Sequence, residues 1–370
     1  MSTLHNRFDW SVYRGNLKWL PNRTIFLTQH GSKAYGTSTP TSDDDYKGVC
    51  IPPKEYFLGW LQNFEQAEVR EPVDMVVYDM RKFCNLAADC NPNIIEVLHT
   101  HESDHFVVTP LGRELLDAKD DFLSRKARHT FSGYAFAQLK RIQTHHRWLR
   151  NPPKAPPTRT EFGLAEMPTY PENQRMAAES MMRKQVDSWL NPGDLSGVDP
   201  STIIAVRNAF TDALVDLQLA QETVWRAAGQ KLGFDSNFLD VVERERRYHS
   251  AKDEWKAFLT WQKERNPARH ALEEKWGYDT KHGMHLVRLM RMCEEILSGK
   301  GVLVKRPDAQ ELLAIRNGAL PYDDLLQWAK DAEARLKVLD ETSLLPKSPN
   351  RVKLDKLCVR LVECALAGES

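Results

Sequence analysis

Short apolar runs separated by polar turns mark the first third of the chain as a mixture of strands and helices. Residues 24–29 (TIFLTQ), 46–51 and 73–78 (VDMVVY) have the length and composition of buried strands. A helix is predicted to begin near Asp79. Another is predicted from Asn91, because a proline in its first turn favours a helix N-terminus. The pattern therefore predicts α/β structure up to about residue 108.

After residue 108 the pattern is almost entirely helical. Residues 150–158 (RNPPKAPPT) contain four prolines and predict an extended connector without helix or sheet of its own. The whole pattern predicts an α+β fold, in which a small mixed-sheet domain in residues 1–108 is followed by a mostly helical domain in residues 109–370. The predicted helices cover residues 129–149, a stretch from Asp199, two stretches between 236 and 276 separated near Asn266-Pro267, and residues 279–297, 322–339 and 350–367.

Charge and apolar content restrict the class of protein. Lysine plus arginine equals aspartate plus glutamate, at 51 each, so any basic binding surface must be local. Residues 1–10 lack the apolar run of a signal peptide, and no stretch approaches the ~20 apolar residues of a membrane span. We therefore expect a soluble cytoplasmic protein with no membrane partner. The six cysteines include no C-x-x-C pair and are expected to be reduced, mostly buried thiols.

Residues 30–48 (HGSKAYGTSTPTSDDDYKG) carry the strongest chemical signal. Gly31 and Ser32 follow a predicted strand, where a glycine lets backbone N–H groups and a hydroxyl approach a triphosphate closely. Asp43 and Asp45 lie two residues apart in an extended segment, so both carboxylates point to one side, whereas Asp44 points to the other. A D-x-D turn alone is common, but this spacing between two strands is not. Two oxygen ligands beside a phosphate cradle predict a Mg²⁺ site.

Asp74 is a lone acid at the start of an apolar strand. An unpaired buried carboxylate is costly, and a shared metal ion would compensate it. The alternative is a strand-end aspartate that faces water. Asp79 is interpreted as the cap of the next helix. Ser32 is interpreted as a phosphate-binding hydroxyl rather than a nucleophile, because no histidine–acid partner accompanies it.

Two further groups of residues have a chemical character. Lys281, His285 and Arg288 lie at i, i+4 and i+7 and form a basic stripe on one helical face. Like charges so spaced disfavour a helix by roughly a few tenths of a kcal/mol per pair, so the stripe is predicted to face an anion such as triphosphate or RNA. The alternative is a solvated basic face. Residues 99–105 (HTHESDH) suggest a transition-metal site, but their spacing favours a surface loop.

The string G-S-x-A-Y-G-T-x4-S-D-x-D-x2-G, from Gly31 to Gly48, resembles the signature of predicted nucleotidyltransferases in the DNA polymerase beta superfamily. The likeness is to the RlaP-like branch associated with RNA ligases and RNA repair. Asp74, in V-D-M-V-V-Y-D-M-R-K, matches the third carboxylate of the superfamily pattern. Looser likenesses lie in Asn91-Pro92-Asn93 followed by Glu96, in K-x3-H-x2-R-L at residues 281–289, and in I-R-x-G at residues 315–318.

This resemblance implies a polymerase-beta-like palm domain and a metal-dependent reaction. Asp43, Asp45 and Asp74 would be the catalytic and metal-binding residues, with Mg²⁺ or Mn²⁺ as the ion. The implied chemistry is in-line attack on the α-phosphate of a nucleoside triphosphate such as ATP, with pyrophosphate leaving. Asp74 would alternatively serve as general base. Nucleotide-binding contacts are expected from two groups of residues, namely Gly31, Ser32 and Lys33 and the basic stripe of Lys281, His285 and Arg288.

Three functions remain open at this point. The leading hypothesis is transfer of a nucleoside monophosphate to an RNA end, with RNA as partner, because the resembled branch is linked to RNA repair. The second is transfer to a protein side chain or a small molecule, as in other members of the superfamily. The third is a non-catalytic module that binds nucleotide or RNA, but three converging carboxylates argue against it.

Overall fold

The computed structural model describes residues 5–71, 73–190, 218–265 and 267–367. By compactness the chain divides into a first unit, residues 1–150 with 266–370, and a second unit, residues 151–265. The predicted boundary at residue 108 falls inside the first unit, and the assignment of residues 1–108 as the catalytic domain stays a prediction. The helix predicted from Asp199 lies outside the described residues.

A six-stranded sheet forms part of the first unit. Its strands are β1 (His5–Asn6), β2 (Thr24–His30), β3 (Asp45–Cys50), β4 (Gln66–Val69), β5 (Asp74–Asp79) and β6 (His105–Val108). The strand order is β1-β6-β2-β3-β5-β4. β3 runs parallel to β5, and the other neighbours are antiparallel, so the sheet is mixed. The three strands predicted from apolar runs are confirmed as β2, β3 and β5.

Both faces of the sheet are covered, which explains the unbroken apolar runs. All seven residues of β2 are buried. Adjacent residues of β3 point to opposite faces, and Val49 and Cys50 belong to different hydrophobic clusters. In a strand that is covered on both sides, apolar residues are not confined to alternate positions.

The helices are numbered in chain order. The first unit contains α1 (Leu20–Arg23), α2 (Gly31–Tyr35), α3 (Glu55–Leu58), α4 (Met80–Ala88), α5 (Pro92–Leu98), α6 (Pro110–Asp117) and α7 (Ala127–Arg150). The second unit contains α8 (Glu172–Leu190), α9 (Gln218–Lys231) and α10 (Ser236–Glu264). The first unit resumes with α11 (Pro267–Trp276), α12 (Thr280–Leu297), α13 (Ala309–Arg316), α14 (Tyr322–Thr342) and α15 (Arg351–Ala367). The predicted α+β fold is confirmed.

Helix starts follow the sequence signals. Asn91 caps α5 by accepting a hydrogen bond from the backbone N–H of Asn93, and Pro92 opens the helix. Asp79 holds the N-cap position of α4, but its buried carboxylate pairs with Arg81 at 2.9 Å and makes no side-chain cap bond. The predicted helices of the described residues are confirmed as α4, α5, α7, α10, α11, α12, α14 and α15, and residues 151–158 form no helix or strand.

One hydrophobic core runs through the first unit. It contains Ile25 of β2, Phe131 of α7, Met284 of α12 and Leu361 of α15. The sheet and the C-terminal helices therefore stabilise each other. Five of the six cysteines are buried and all six are free thiols, as predicted. Among the described residues, no helix combines the length and the apolar character that crossing a membrane requires.

Candidate active site

Acidic residues at the start of two adjacent strands face one cavity of the first unit. β3 and β5 pair in parallel, and their register places Asp45 opposite Asp74. The alternation of side chains puts Lys47 and Val76 on the same side two residues further on. All four line a cavity of about 470 Å³, and so does Asp43. The structure therefore brings the three predicted carboxylates to one cavity.

Gly31 closes the opposite side of the acidic cluster. It follows β2 directly and has a φ of +66°, a left-handed conformation that glycine adopts at little cost. A Cβ at this position would overlap the Oδ2 atom of Asp45 and lie 2.9 Å from its Cγ atom. The backbone of Gly31 and the side chain of Ser32 also line the cavity. Only glycine allows the chain to turn this close to the Asp45 carboxylate.

The carboxylates influence each other electrostatically. Partial burial raises the pKa of Asp45 above its usual range, and the negative charge of Asp74 raises it further. The positive charges of Lys47 and Lys281 oppose this effect. The Asp45 carboxylate is therefore repelled by a neighbouring negative charge, and a cation bound there would be favoured.

Asp43 and Asp74 are both exposed residues. The expectation that Asp74 is a buried carboxylate is wrong, because the strand begins at this residue and its side chain reaches the open cavity. The ligand oxygens of Asp43, Asp45 and Asp74 do not all lie within 4.8 Å of one another. Among the described residues, only a different group of side chains meets that spacing. The three form an open arrangement rather than a closed cage.

The predicted basic stripe on α12 also lines the cavity, but two of its three residues, His285 and Arg288, differ from the prediction. Burial and the nearby charge of Arg288 hold the pKa of His285 well below its usual value, so its imidazole is neutral at neutral pH. Arg288 is 5% exposed and donates a 2.5 Å hydrogen bond from Nη1 to Oε1 of Glu96. The prediction of three cations facing an anion is therefore corrected to one lysine, one neutral histidine and one ion-paired arginine.

Glu96 of α5 is the centre of a buried polar network at the back of the cavity. Tyr35 donates its hydroxyl to Oε2 of Glu96 at 2.5 Å, and Nε2 of His30 lies 3.4 Å from the same oxygen. Burial alone would raise the pKa of Glu96, but the charge of Arg288 leaves it well below its ordinary value. The guanidinium of Arg288 also stacks over the ring of Tyr35 at 3.8 Å. In the sequence, Glu96 was part of a resembled motif but had no predicted role.

Lys47 is a second site residue that the sequence analysis missed. It lies two residues after Asp45 on the same face of β3, and its Nζ donates a 3.3 Å hydrogen bond to Oδ1 of Asn93. Burial lowers the pKa of Lys47, whereas the charges of Glu96 and Asp45 favour its protonated form. Asp43, Asp45 and Lys47 occupy alternate positions along the chain. This alternation could have identified Lys47 from the sequence.

Lys33 does not line the cavity, contrary to the prediction. Its Nζ donates a 2.5 Å hydrogen bond to Oδ1 of Asp44, which also accepts from Nε2 of Gln29 at 3.1 Å. The reason is local geometry, since Asp44 precedes β3 by one residue and attracts Lys33 away from the acidic cluster. Asp44 is likewise absent from the cavity wall.

Helical residues complete the cavity. Tyr134 and Gln138 lie one turn apart on α7, and Arg316 ends α13. Arg316 belongs to the I-R-x-G string noted in the sequence. The helices that carry these residues begin far from the D-x-D segment in the sequence, so no local pattern indicated that α7 forms part of the site.

The histidines of residues 99–105 make separate local contacts. Nδ1 of His99 lies 2.9 Å from the carbonyl of Ile95, and Nε2 of His105 lies 3.2 Å from the carbonyl of Thr100. None of the three histidines belongs to a group of converging metal ligands among the described residues. The segment contributes a short 3-10 turn and the start of β6 rather than a metal site.

A Gly-Ser turn follows one strand, and carboxylates lie on two neighbouring strands of a mixed sheet, which is the arrangement expected from the resemblance to DNA polymerase beta-type nucleotidyltransferases. Residues 7–152 match the model of the family described as RlaP, the RNA repair pathway DNA polymerase beta family. This match confirms the resemblance drawn from the motifs. The matched segment includes Gly31, the three carboxylates and all of α7, whereas α12 and α13 lie beyond it.

A relative is found in Enterobacteria phage T4. It is an uncharacterised 38.9 kDa protein from the nrdC–mobD intergenic region, 33% identical over 87 residues. The similar segment covers 21% of this chain and 26% of the phage protein. No solved structure matches the chain.

Proposed function

We propose that this protein is a metal-dependent nucleotidyltransferase that moves a nucleoside monophosphate from a nucleoside triphosphate to an acceptor hydroxyl. The observation that carries the proposal is the meeting of three carboxylates and the Gly31-Ser32 turn around one cavity. Its volume, about 470 Å³, falls within the range of roughly 300–1,000 Å³ that small-molecule pockets occupy. A module for binding alone would not require three carboxylates beside a phosphate cradle.

The acidic cluster fits a Mg²⁺ or Mn²⁺ ion, which Asp43, Asp45 and Asp74 would hold. Partial burial and then repulsion from Asp74 raise the pKa of Asp45, and a divalent cation would relieve this repulsion. An open arrangement suits Mg²⁺, because this ion keeps part of its coordination for water and substrate phosphates. When bound, such ions neutralise triphosphate oxygens and lower the pKa of the attacking hydroxyl.

The chain's own groups position the reactants. The Gly31 backbone and the Ser32 hydroxyl would contact the triphosphate, and Lys281, which lines the same cavity, would add a positive charge. The exposed carboxylate of Asp74 is available to take the proton of the acceptor hydroxyl. The acceptor oxygen then bonds to the α-phosphorus, the bond from that phosphorus to the bridging oxygen breaks, and pyrophosphate leaves.

We propose an RNA end as the acceptor. The support is the description of the matched family, which names an RNA repair pathway. The first unit supplies positive groups at the cavity, Lys47, Lys281 and Arg316, although the chain as a whole has no net charge. An RNA end requires only such a local surface, since the attacking group is a single hydroxyl.

The test is transfer of label from α-labelled nucleoside triphosphates in the presence of Mg²⁺, with RNA, total protein and small-molecule pools offered in parallel. Label in RNA is expected. Asp45→Asn should reduce transfer by roughly 100-fold or more, because metal stabilisation of the developing charge contributes several kcal/mol.

Asp44→Asn is the matched control. It changes the adjacent carboxylate, which pairs with Lys33 outside the cavity, and transfer should stay near the wild-type rate. Label in protein or in small molecules would show that the acceptor is one of these and not RNA. If no pool is labelled although the protein still binds triphosphate, the proposed catalysis is wrong and the protein is a binding module.

A further inference from the structure

A second cluster of metal-ligand side chains lies in the first unit, outside the cavity. It joins His145 of α7, Glu273 of α11 and Asp279, which caps α12. One ligand atom from each residue lies within 4.8 Å of the others, and the described residues contain no other such group. None of the three lines the acidic cavity.

The cluster is buried. The side chains of Glu273 and Asp279 are only 2% and 4% exposed, and that of His145 is 17% exposed. His282 follows Asp279 by one helical turn and is 13% exposed. Burial separates this group from the acidic surface patches that occur on many proteins without any bound ion.

The spacing within the cluster matches that of ligands around one ion. Nδ1 of His145 lies 3.5 Å from Oε1 of Glu273, and Nε2 of His282 lies 3.4 Å from Oδ2 of Asp279. The first pair belongs to the cluster, whose three ligand atoms all lie within 4.8 Å of one another. Ligands bonded to zinc at about 2.0–2.2 Å in a tetrahedron are themselves separated by about 3.4 Å.

The second carboxylate oxygen of Asp279, Oδ1, caps the start of α12 and so fixes the orientation of the carboxylate. Oδ1 accepts hydrogen bonds from the backbone N–H groups of Lys281 at 2.9 Å and His282 at 3.1 Å. This cap holds the plane of the carboxylate and directs Oδ2 toward His282. The ligand is thereby oriented by the start of α12 before any ion binds.

From this geometry we infer a site for a divalent transition-metal ion of the zinc class, held by His145, Glu273 and Asp279. Imidazole nitrogen and carboxylate oxygen are both zinc ligands, and three protein ligands leave the fourth position of the ion to water. Two carboxylates balance the charge of one divalent cation. Mixed nitrogen and oxygen ligands distinguish this site from the all-carboxylate cluster of the cavity, which suits Mg²⁺.

The ion would tie together the helices that wall the cavity. α7 contributes Tyr134 and Gln138 to that wall, and α12 contributes Lys281 two residues after Asp279. His145 lies two turns beyond Gln138 on α7. The inference stands whether or not the chain transfers nucleotides, because it rests on packing between helices and on no step of the reaction.

The test is zinc binding to chelator-treated full-length protein, measured by calorimetry and by metal analysis after gel filtration. About one tightly bound Zn²⁺ per chain is expected. His145→Gln and Glu273→Gln should weaken binding on the order of 100-fold, since losing even an outer partner of a ligand costs ten- to hundredfold.

Glu274→Gln is the matched control, because Glu274 is the neighbouring residue on α11 with a side chain that is 63% exposed. Asp45→Asn should keep the zinc, which separates this site from the cavity. Unchanged affinity in both His145→Gln and Glu273→Gln overturns the inference. Co²⁺ binding to the wild-type protein gives an independent readout if these variants do not fold, and absence of the visible absorption of four-coordinate cobalt also overturns it.

Discussion

Individual residues at the mouth of the acidic cluster are fixed by close packing as much as by charge. Gly31 combines a positive φ with a position where an added Cβ would overlap the Asp45 side chain. The sequence alone predicted a glycine that lets phosphate approach. The structure shows that the first group this glycine accommodates is the carboxylate itself.

Gly31→Ala is expected to abolish nucleotidyl transfer. A Cβ would displace the Asp45 carboxylate, in addition to a conformational cost of about 1 kcal/mol for a non-glycine residue at this φ. Gly299→Ala is the control, because Gly299 has a φ of +77° and its Cβ would meet nothing within 4 Å. Both variants should lose similar stability in urea unfolding, and only Gly31→Ala should lose transfer. Equal activity in the two variants would refute the argument.

At this scale the sequence identified residue types but not their protonation states. Asp43 and Asp45 were found from their spacing, and Asp74 was found as a lone acid in an apolar strand that matches the third carboxylate of the resembled pattern. The structure brings all three to one cavity. His285 was expected to be a cation, but burial beside Arg288 keeps it neutral. Such states depend on neighbours that are distant in sequence, and no local pattern reports them.

Pairs of elements determine where the site lies. β3 and β5 bring Asp45 and Asp74 together because they are parallel neighbours, while β4 occupies the edge beyond β5. The strands were predictable from apolar runs, but their parallel pairing was not, since it depends on the crossover between them. α5 and α12 are also far apart in the sequence, and the salt bridge between Glu96 and Arg288 joins them.

Glu96→Gln is expected to destabilise the protein by about 3–5 kcal/mol, because it leaves the buried guanidinium of Arg288 without its counter-charge. Urea unfolding followed by circular dichroism measures the loss. Glu102→Gln is the control, since it removes an exposed partner of Arg113 and should cost less than about 1 kcal/mol. A loss as small as that of the control would show that Arg288 finds another partner.

The first unit as a whole contains buried neutral histidines whose titration affects stability. Burial lowers the pKa of His30 to about 4 and lowers that of His105 and His285 from the usual 6.5. The unfolded chain therefore binds more protons than the folded one below pH 6.5. Folding stability is present above that pH and is lost as the pH falls toward the folded pKa values.

The free energy of unfolding should fall between about pH 7.5 and about pH 5.5, by about 1 kcal/mol for His30, whose pKa is lowered to about 4, with further losses from His105 and His285. Urea unfolding at several pH values in this window measures the slope. His105→Gln should make the slope shallower, because His105 lies away from the acidic cluster and contributes one of the protons. A slope unchanged by this substitution would mean that His105 is protonated in the folded protein.

The order in which the cavity walls occur along the chain has a consequence for biosynthesis. Gly31, the three carboxylates and α7 are translated first, the whole second unit follows, and only then do Lys281 and Arg316 leave the ribosome. A nascent chain halted within residues 151–265 therefore contains the three carboxylates and Lys47 but lacks the C-terminal helices that complete the cavity and the core. Newly made protein acquires its complete cavity only late in translation, after the inserted segment has emerged.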